Sequence, residues 1–334
     1  MFNQDAQGPD CWNCSLSVEW HDCSFCPAIQ LRRGIRRRSG GRTKPLPNPA
    51  VLPHPVRRKN MFKTMKTNLF SARHNRAGFT LVELLTVIAI IGILAAMLLP
   101  VLASVKKHAL ITKARTEMND LVTDIQAYDQ AYGRFPVSHL AQSTAANNAA
   151  NHDFTYGGTF PTPTGTQPIG TLVNGAPLYN SEVVAILMDY TTFPGTANPT
   201  INTNHQSNPQ QTKFLNAKMS GWDPTQGGTP PAGVDKNLIF RDPWGNPYLI
   251  SVDLSYDDQC EDWFYCKKAV SSQNNSTTGY NGLTSPGFQP GPGGQDNFQF
   301  HGKVMVWSAG PDGKVDPLSL ANTGFNKDNV LSWQ

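Results

Sequence analysis

Residues 73–100 read RHNRAGFTLVELLTVIAIIGILAAMLLP, and the rest of the chain is organised around them. Arg73 and Arg76 precede Gly78 and Phe79, and the apolar run that follows holds one charge, Glu83, before Lys106. From Leu84 to Val105 there are 22 uncharged residues. At about 1.5 Å per residue such a helix crosses a hydrocarbon layer of roughly 30 Å. A carboxylate in a membrane helix costs about 2.5–3.5 kcal/mol at the helix centre, so Glu83 needs a partner. The arginines mark the cytoplasmic flank. A secretory signal peptide has a shorter apolar core with its small-residue cut after it. Here the small residue stands before the run. A plain single-span anchor explains the apolar run and basic flank, but neither Glu83 nor the Gly-Phe junction.

These residues resemble the class III leader of type IV pilins and type II secretion pseudopilins. The resemblance implies cleavage between Gly78 and Phe79 by a membrane peptidase and N-methylation of Phe79. It also implies that Glu83 pairs with the positive terminus of a neighbouring subunit, two charges that lipid tolerates only together.

Charge divides at the same junction. Residues 1–78 hold 14 Lys/Arg and 4 Asp/Glu, a net of +10, whereas residues 79–334 hold 14 and 20, a net of −6. Cleavage at Gly78 leaves a mildly acidic product, which removes support for a nucleic-acid partner. Residues 1–60 carry Cys11, Cys14, Cys23 and Cys26, five arginines between 32 and 38, and a proline-rich stretch from Pro45 to Pro55. Paired CxxC motifs suit a zinc site, although the eight-residue gap between them is short. Two readings stand: a start assigned too early, with Met61 or Met65 the true one, or a basic cytoplasmic extension. The expected division is therefore 1–60 extension, 61–78 leader, 79–105 transmembrane helix and 106–334 periplasmic domain.

Past Pro100 the pattern turns amphipathic. Ile111, Ala114, Met118, Leu121, Ile125, Tyr128 and Tyr132 recur at steps of three and four, which predicts one helix of about 50 residues ended by Gly133 and Pro136. Pro100 should kink or loosen it. A short helix is expected at Ser181–Tyr190, and strands at Asn237–Phe240, Tyr248–Leu254, Trp263–Lys267 and Lys303–Ser308. Residues 137–178, 193–211, 224–235 and 271–297, rich in Thr, Asn, Gly and Pro, read as solvated surface loops. The expected fold class is α+β: a long N-terminal helix packed on a small C-terminal antiparallel sheet with long loops.

Two further strings are similar to the major pseudopilin. Tyr128–Pro136 matches the end of its long helix, and DPWGNPY at 242–248 matches a turn in its C-terminal sheet. Ser308-Ala309-Gly310-Pro311-Asp312-Gly313 resembles the loop that wraps calcium in that family, which implies Ca2+ ligation by Ser308, Asp312, Asp316 and Asp328. A Gly-Pro turn without metal is the other reading. Cys260 and Cys266 either form a local disulfide, as an oxidising compartment favours, or remain free thiols. No G-x-S-x-G, H-E-x-x-H or Walker loop occurs, so no enzymatic activity is expected.

The resemblance as a whole implies a pseudopilin of a type II secretion system in the bacterial inner membrane, single-pass, with its C-terminal domain in the periplasm. Its implied partners are other pseudopilin subunits, the prepilin peptidase, secretion platform proteins and lipid. The alternatives are a type IV pilin for adhesion, motility or DNA uptake, and a membrane-anchored binding protein.

Overall fold

Helix α1 runs unbroken for 52 residues, Leu81–Tyr132, through Pro100. Its start is a capping box: the Thr80 hydroxyl accepts from the Glu83 amide, while the Glu83 carboxylate accepts from the Thr80 amide. Its end is Gly133 at φ 64°, whose amide donates to the Asp129 carbonyl, a left-handed turn that glycine enters without strain. The computed structural model describes residues 78–147, 153–274, 276–286 and 296–334, all within the unit Arg76–Gln334. The cysteine pairs, the arginine cluster and the leader up to 77 lie outside the described residues.

After α1 come helix α2 (His139–Asn147), strands β1 (Phe154–Tyr156), β2 (Gly158–Thr162), β3 (Gly165–Ile169), β4 (Leu172–Val173) and β5 (Ala176–Pro177), and helix α3 (Ser181–Leu187). Then follow β6 (Gly233–Val234), β7 (Phe240–Arg241), β8 (Leu249–Val252), β9 (Gln259–Cys260), helix α4 (Lys268–Ser271), β10 (Phe300–His301), β11 (Val304–Ser308) and β12 (Val330–Leu331). The main sheet is antiparallel in the order β1-β8-β11-β12. The other strands form two-stranded hairpins and ribbons.

Period-two alternation assigns every side chain of the main sheet to one of two faces. Register pairs Phe154 and Val304 with Val252, and Tyr156 and Val306 with Ile250. These six residues share one core with Ala114, Met118, Leu121, Ile125 and Tyr128 of α1. All five helix residues are fully buried, as their spacing predicts. Burying Met118, Leu121 or Ile125 contributes roughly 1.5–3 kcal/mol each. Residues of the opposite register, Leu249, Met305, Trp307 and Leu331, enter a second core with Phe264, Tyr265, Val270, Leu283 and Phe298. The sheet is thus covered on both faces.

That second layer corrects the expectation of solvated loops. Residues 137–178 contain α2 and β1–β5, and β1 is an outer strand of the main sheet. Residues 271–297 contribute Leu283, 1% exposed, to the second core. Residues 193–211 clamp the end of α1: Tyr128 donates to the Ser207 carbonyl, and Tyr132 donates to Asn208 Oδ1 at 2.6 Å. Asn208 in turn donates to the carbonyls of Ile186 and Thr212. Buried amide side chains here take the place of strand partners.

Strands β8 and β11 and helix α3 stand where periodicity puts them. The strand expected at Trp263–Lys267 is a turn, because the Asp262 carboxylate accepts from the amides of Phe264 and Tyr265 and curls the chain. Asn237–Phe240 likewise begins as a turn, with the Asp235 carboxylate accepting from the Asn237 and Ile239 amides. Only Phe240 reaches a strand.

Candidate functional site

The N-terminal junction is open. Gly78 has no heavy atom within 4 Å of where a Cβ would stand, and Phe79 is 74% exposed. Glu83 Oε2 lies 2.9 Å from the Thr80 amide and 2.7 Å from its hydroxyl, so within one chain the acid is held at the helix start. Favourable charge at a helix N-terminus adds to this hold. The T-x-x-E spacing signals this box, and reading Glu83 only as an intermolecular acid overlooks it. From Leu81 to Val105 the helix exposes its apolar side chains on every side. Among the described residues α1 is the one helix long and apolar enough to cross a membrane.

At the other end, the DPWGN turn and the Ser308–Gly313 loop are stitched together. The buried Asp242 carboxylate accepts from the amides of Trp244 and Asn246, from Asn246 Nδ2 at 3.2 Å and from Ser308 Oγ at 2.5 Å. Asn246 Nδ2 also donates to the Gly310 carbonyl. Burial pushes the Asp242 carboxyl above its ordinary range, while the Ser308 and Asn246 donors pull it back. Two glycines permit the close approach. A Cβ at Gly310 (φ 69°) would meet the Asp328 carbonyl at 2.1 Å, and one at Gly313 (φ 63°) would meet Asn246 Oδ1 at 2.6 Å.

The four residues read as calcium ligands are not gathered into one cage. The Ser308 hydroxyl is committed to Asp242, and Asp316 accepts from the Leu318 amide and the Ser319 hydroxyl. Asp312 accepts from the Lys314 amide on its own loop. Asp328 differs. Its Oδ1 is buried without a hydrogen-bond partner, and burial followed by the charge of Asp312 raises its carboxyl. The Lys107 and Lys327 charges oppose that rise. No group of three or more His, Cys, Asp or Glu side chains suited to a metal occurs among the described residues.

The disulfide expected between Cys260 and Cys266 is not formed. Both are buried free thiols. Cys260 is fixed in β9 opposite Phe300 and points into the second core. Cys266 lies beyond the Asp262 turn, its Sγ against the Trp263 carbonyl at 3.5 Å. Burial raises both thiols, and nearby carboxylates add to the effect at Cys260.

Asp153, at the start of β1, accepts from the amides of Leu254, Ser255 and Glu261. Burial, and then the Asp253 charge, push its carboxyl up to about 7, and burial with Asp153 and Asp257 does the same for Glu261. Both groups bind protons more tightly folded than unfolded. Their contribution to stability is fullest below about pH 4 and is lost as pH rises through about 7. Denaturant midpoints measured between pH 4 and 8 should fall along this window, and Asp153→Asn should flatten the slope. A midpoint that rises across the window would contradict the assignment.

Residues 73–99 match the family profile described as the prokaryotic N-terminal methylation motif. Over 54 residues, 16% of the chain, the sequence is 50% identical to the type IV wide pilus major component PilA4 of Thermus thermophilus. The chain spans 41% of that relative's length. No solved structure matches the chain. The motif and the relative define a type IV prepilin-like N-terminus with a class III leader. Behind it stands a pilin-like α+β arrangement, a long apolar helix followed by small antiparallel sheets.

Proposed function

We propose that this chain is a structural subunit of a type II secretion pseudopilus, held in the inner membrane by α1 and assembled through it into a periplasmic filament. The observation that carries the reading beyond the pilin-like class is the Asp242–Ser308 and Asn246–Gly310 stitching, which ties the two pseudopilin-like strings of the sequence into one structure. The mechanism is mechanical. Subunits cleaved at Gly78 by the prepilin peptidase are inserted by platform proteins, and the growing filament displaces folded cargo. The subunit itself performs no catalysis and binds no nucleic acid.

A second reading, a type IV pilin, is favoured by the name of the Thermus relative. The two separate in a secreting strain that lacks its own major pseudopilin. Restored export of the secreted enzyme supports the pseudopilus, whereas surface fibres without export support the pilin. A protein that is cleaved and inserted but yields neither would refute both filament readings.

Calcium belongs to the same proposal, narrowed by the geometry. Asp312 and Asp328, with carbonyl oxygens of the Gly310 and Gly313 turns, would hold the ion, which takes six to eight oxygen ligands and here would relieve the repulsion of the pair. The detergent-solubilised chain should melt several degrees higher in calcium than in chelator, since a ligand at 100 times its Kd stabilises by about 2.7 kcal/mol. Asp328→Asn should abolish the difference and Asp316→Asn should not. An unchanged Tm in the unsubstituted chain would remove the metal from the account.

A further inference from the structure

Between the start of α3, the turn at 193–198 and residues 223–239 lies a cavity of about 620 Å³. Tyr179, Phe193, Asn198, Asp223, Lys236 and Asn237 line it, and its size is that of a small-molecule site. Filament assembly through α1 makes no use of it.

Its walls are pre-organised. Pro194 and Gly195 (φ 76°) turn the chain, and the Thr196 amide donates to the Phe193 carbonyl at 3.0 Å. The Phe193 amide donates to the Asn198 carbonyl at 3.0 Å and closes the turn. Asp223 Oδ1 accepts from the Thr225 hydroxyl at 2.7 Å and amide at 3.0 Å, while Oδ2 takes the Lys236 ammonium at 3.2 Å. The Thr225 bonds first, and then Lys236, hold the Asp223 carboxyl down at about 2, so the pair is charged and self-neutralised at neutral pH. The Tyr179 ring lies against Gly158, with Cε1 3.0 Å from where a Cβ would stand, and Phe193 packs on the main core.

The lining leaves neutral hydrogen-bonding groups uncommitted. Asn198 and Asn237 bond through their backbones, and neither side-chain amide has a partner among the described residues. Nor do the Tyr179 and Ser181 hydroxyls, which also line the cavity. An amide side chain offers donors and acceptors together, and a hydroxyl does the same. Among the described lining residues Asp223 and Lys236 carry the charge and answer each other, so a phosphate or carboxylate finds no free cation there. Two aromatic rings beside such groups suit a ligand with an apolar C–H face and a rim of hydroxyls. A neutral sugar has that form.

We infer that this cavity binds a short neutral saccharide, its apolar face on Tyr179 and Phe193 and its hydroxyls on Asn198, Asn237 and the Asp223–Lys236 pair. Binding is a property of the single subunit. It stands if the filament reading fails, and its own failure leaves that reading untouched.

The full-length chain in a sugar-free detergent is titrated with maltose, cellobiose and N,N′-diacetylchitobiose by calorimetry and saturation-transfer NMR. At least one should bind with a Kd of about 1 mM or tighter. Asn198→Ala and Asn237→Ala, both at exposed positions, should each weaken that binding about fivefold or more with an unchanged Tm. Gln226→Ala, exposed and outside the lining, should not. Preference for the acetylated dimer points to a wall-type glycan, and preference for a plain hexose dimer to an external polysaccharide; both uphold the inference. No binding of any of the three at about 10 mM overturns it. So does binding that neither asparagine variant weakens, or tighter binding of the acidic dimer digalacturonate.

Discussion

Trp307→Ala should destabilise the folded domain by about 3–5 kcal/mol, the range for removing a fully buried large aromatic. Trp307 is 0% exposed in β11, facing the second core. Its ring meets Phe264 and Tyr265, each with centroids 5.1 Å away. Its indole N–H donates to Asp262 Oδ2 at 2.9 Å. Removal opens a cavity and also takes a donor from a carboxylate that is wholly buried and shared with Ser251. Equilibrium denaturation should show the loss as a lower midpoint with little change of slope. Trp307→Phe should recover the packing but not the hydrogen bond, and so fall between. A loss below about 1 kcal/mol for Trp307→Ala would mean that the second layer is not a true core.

Glu83→Ala should leave the chain inserted and cleaved yet depress its incorporation into filaments by roughly a hundredfold. An unpaired terminal charge in the apolar phase costs about 2.5–3.5 kcal/mol, and each 1.4 kcal/mol is tenfold. The capping box adds a second consequence. Alanine removes both the carboxylate and the acceptor of the Thr80 amide, whereas Glu83→Gln keeps an acceptor at that position while cancelling the charge. If the charge is what matters, glutamine should assemble as poorly as alanine. If the cap is what matters, glutamine should assemble normally. The pelleted filament fraction, normalised to membrane-inserted subunit, reads both outcomes, and wild-type yield from Glu83→Ala would defeat the pairing role.

Long-period features were legible from residues alone. The stripe from Ala114 to Tyr128 repeats often enough to define one face of a helix, and Gly133 marks its end in the left-handed region. Strands β8 and β11 carry enough β-branched and apolar residues to stand out. Strand β1 did not, since three residues buried throughout give no alternation to read. The second core was hidden for a related reason. The members that face its strands come singly from turns and loops, such as Leu283 and Phe298, where Asp262 curls the chain beneath Trp307.

Polar residues were the least legible. Asn180 is wholly buried and bridges the carbonyls of Phe240 and Tyr248 and the Phe240 amide, work that composition reads as solvation. In the DPWGNPY turn, proline and glycine signal the bend, but the Asp242 carboxylate holds it and joins it to Ser308. The cysteines followed local order rather than proximity in sequence, one fixed in a strand and one beyond a turn.

Membrane orientation and filament assembly both follow from processing as a prepilin-like precursor at the junction that opens α1. Intact and N-terminal peptide mass spectrometry of the protein from the membrane fraction tests this most directly. The expected product is a mature chain that begins at Phe79 and carries one N-methyl group. A product that retains residues before Phe79, or that begins at an unmethylated residue elsewhere in the helix, would contradict it.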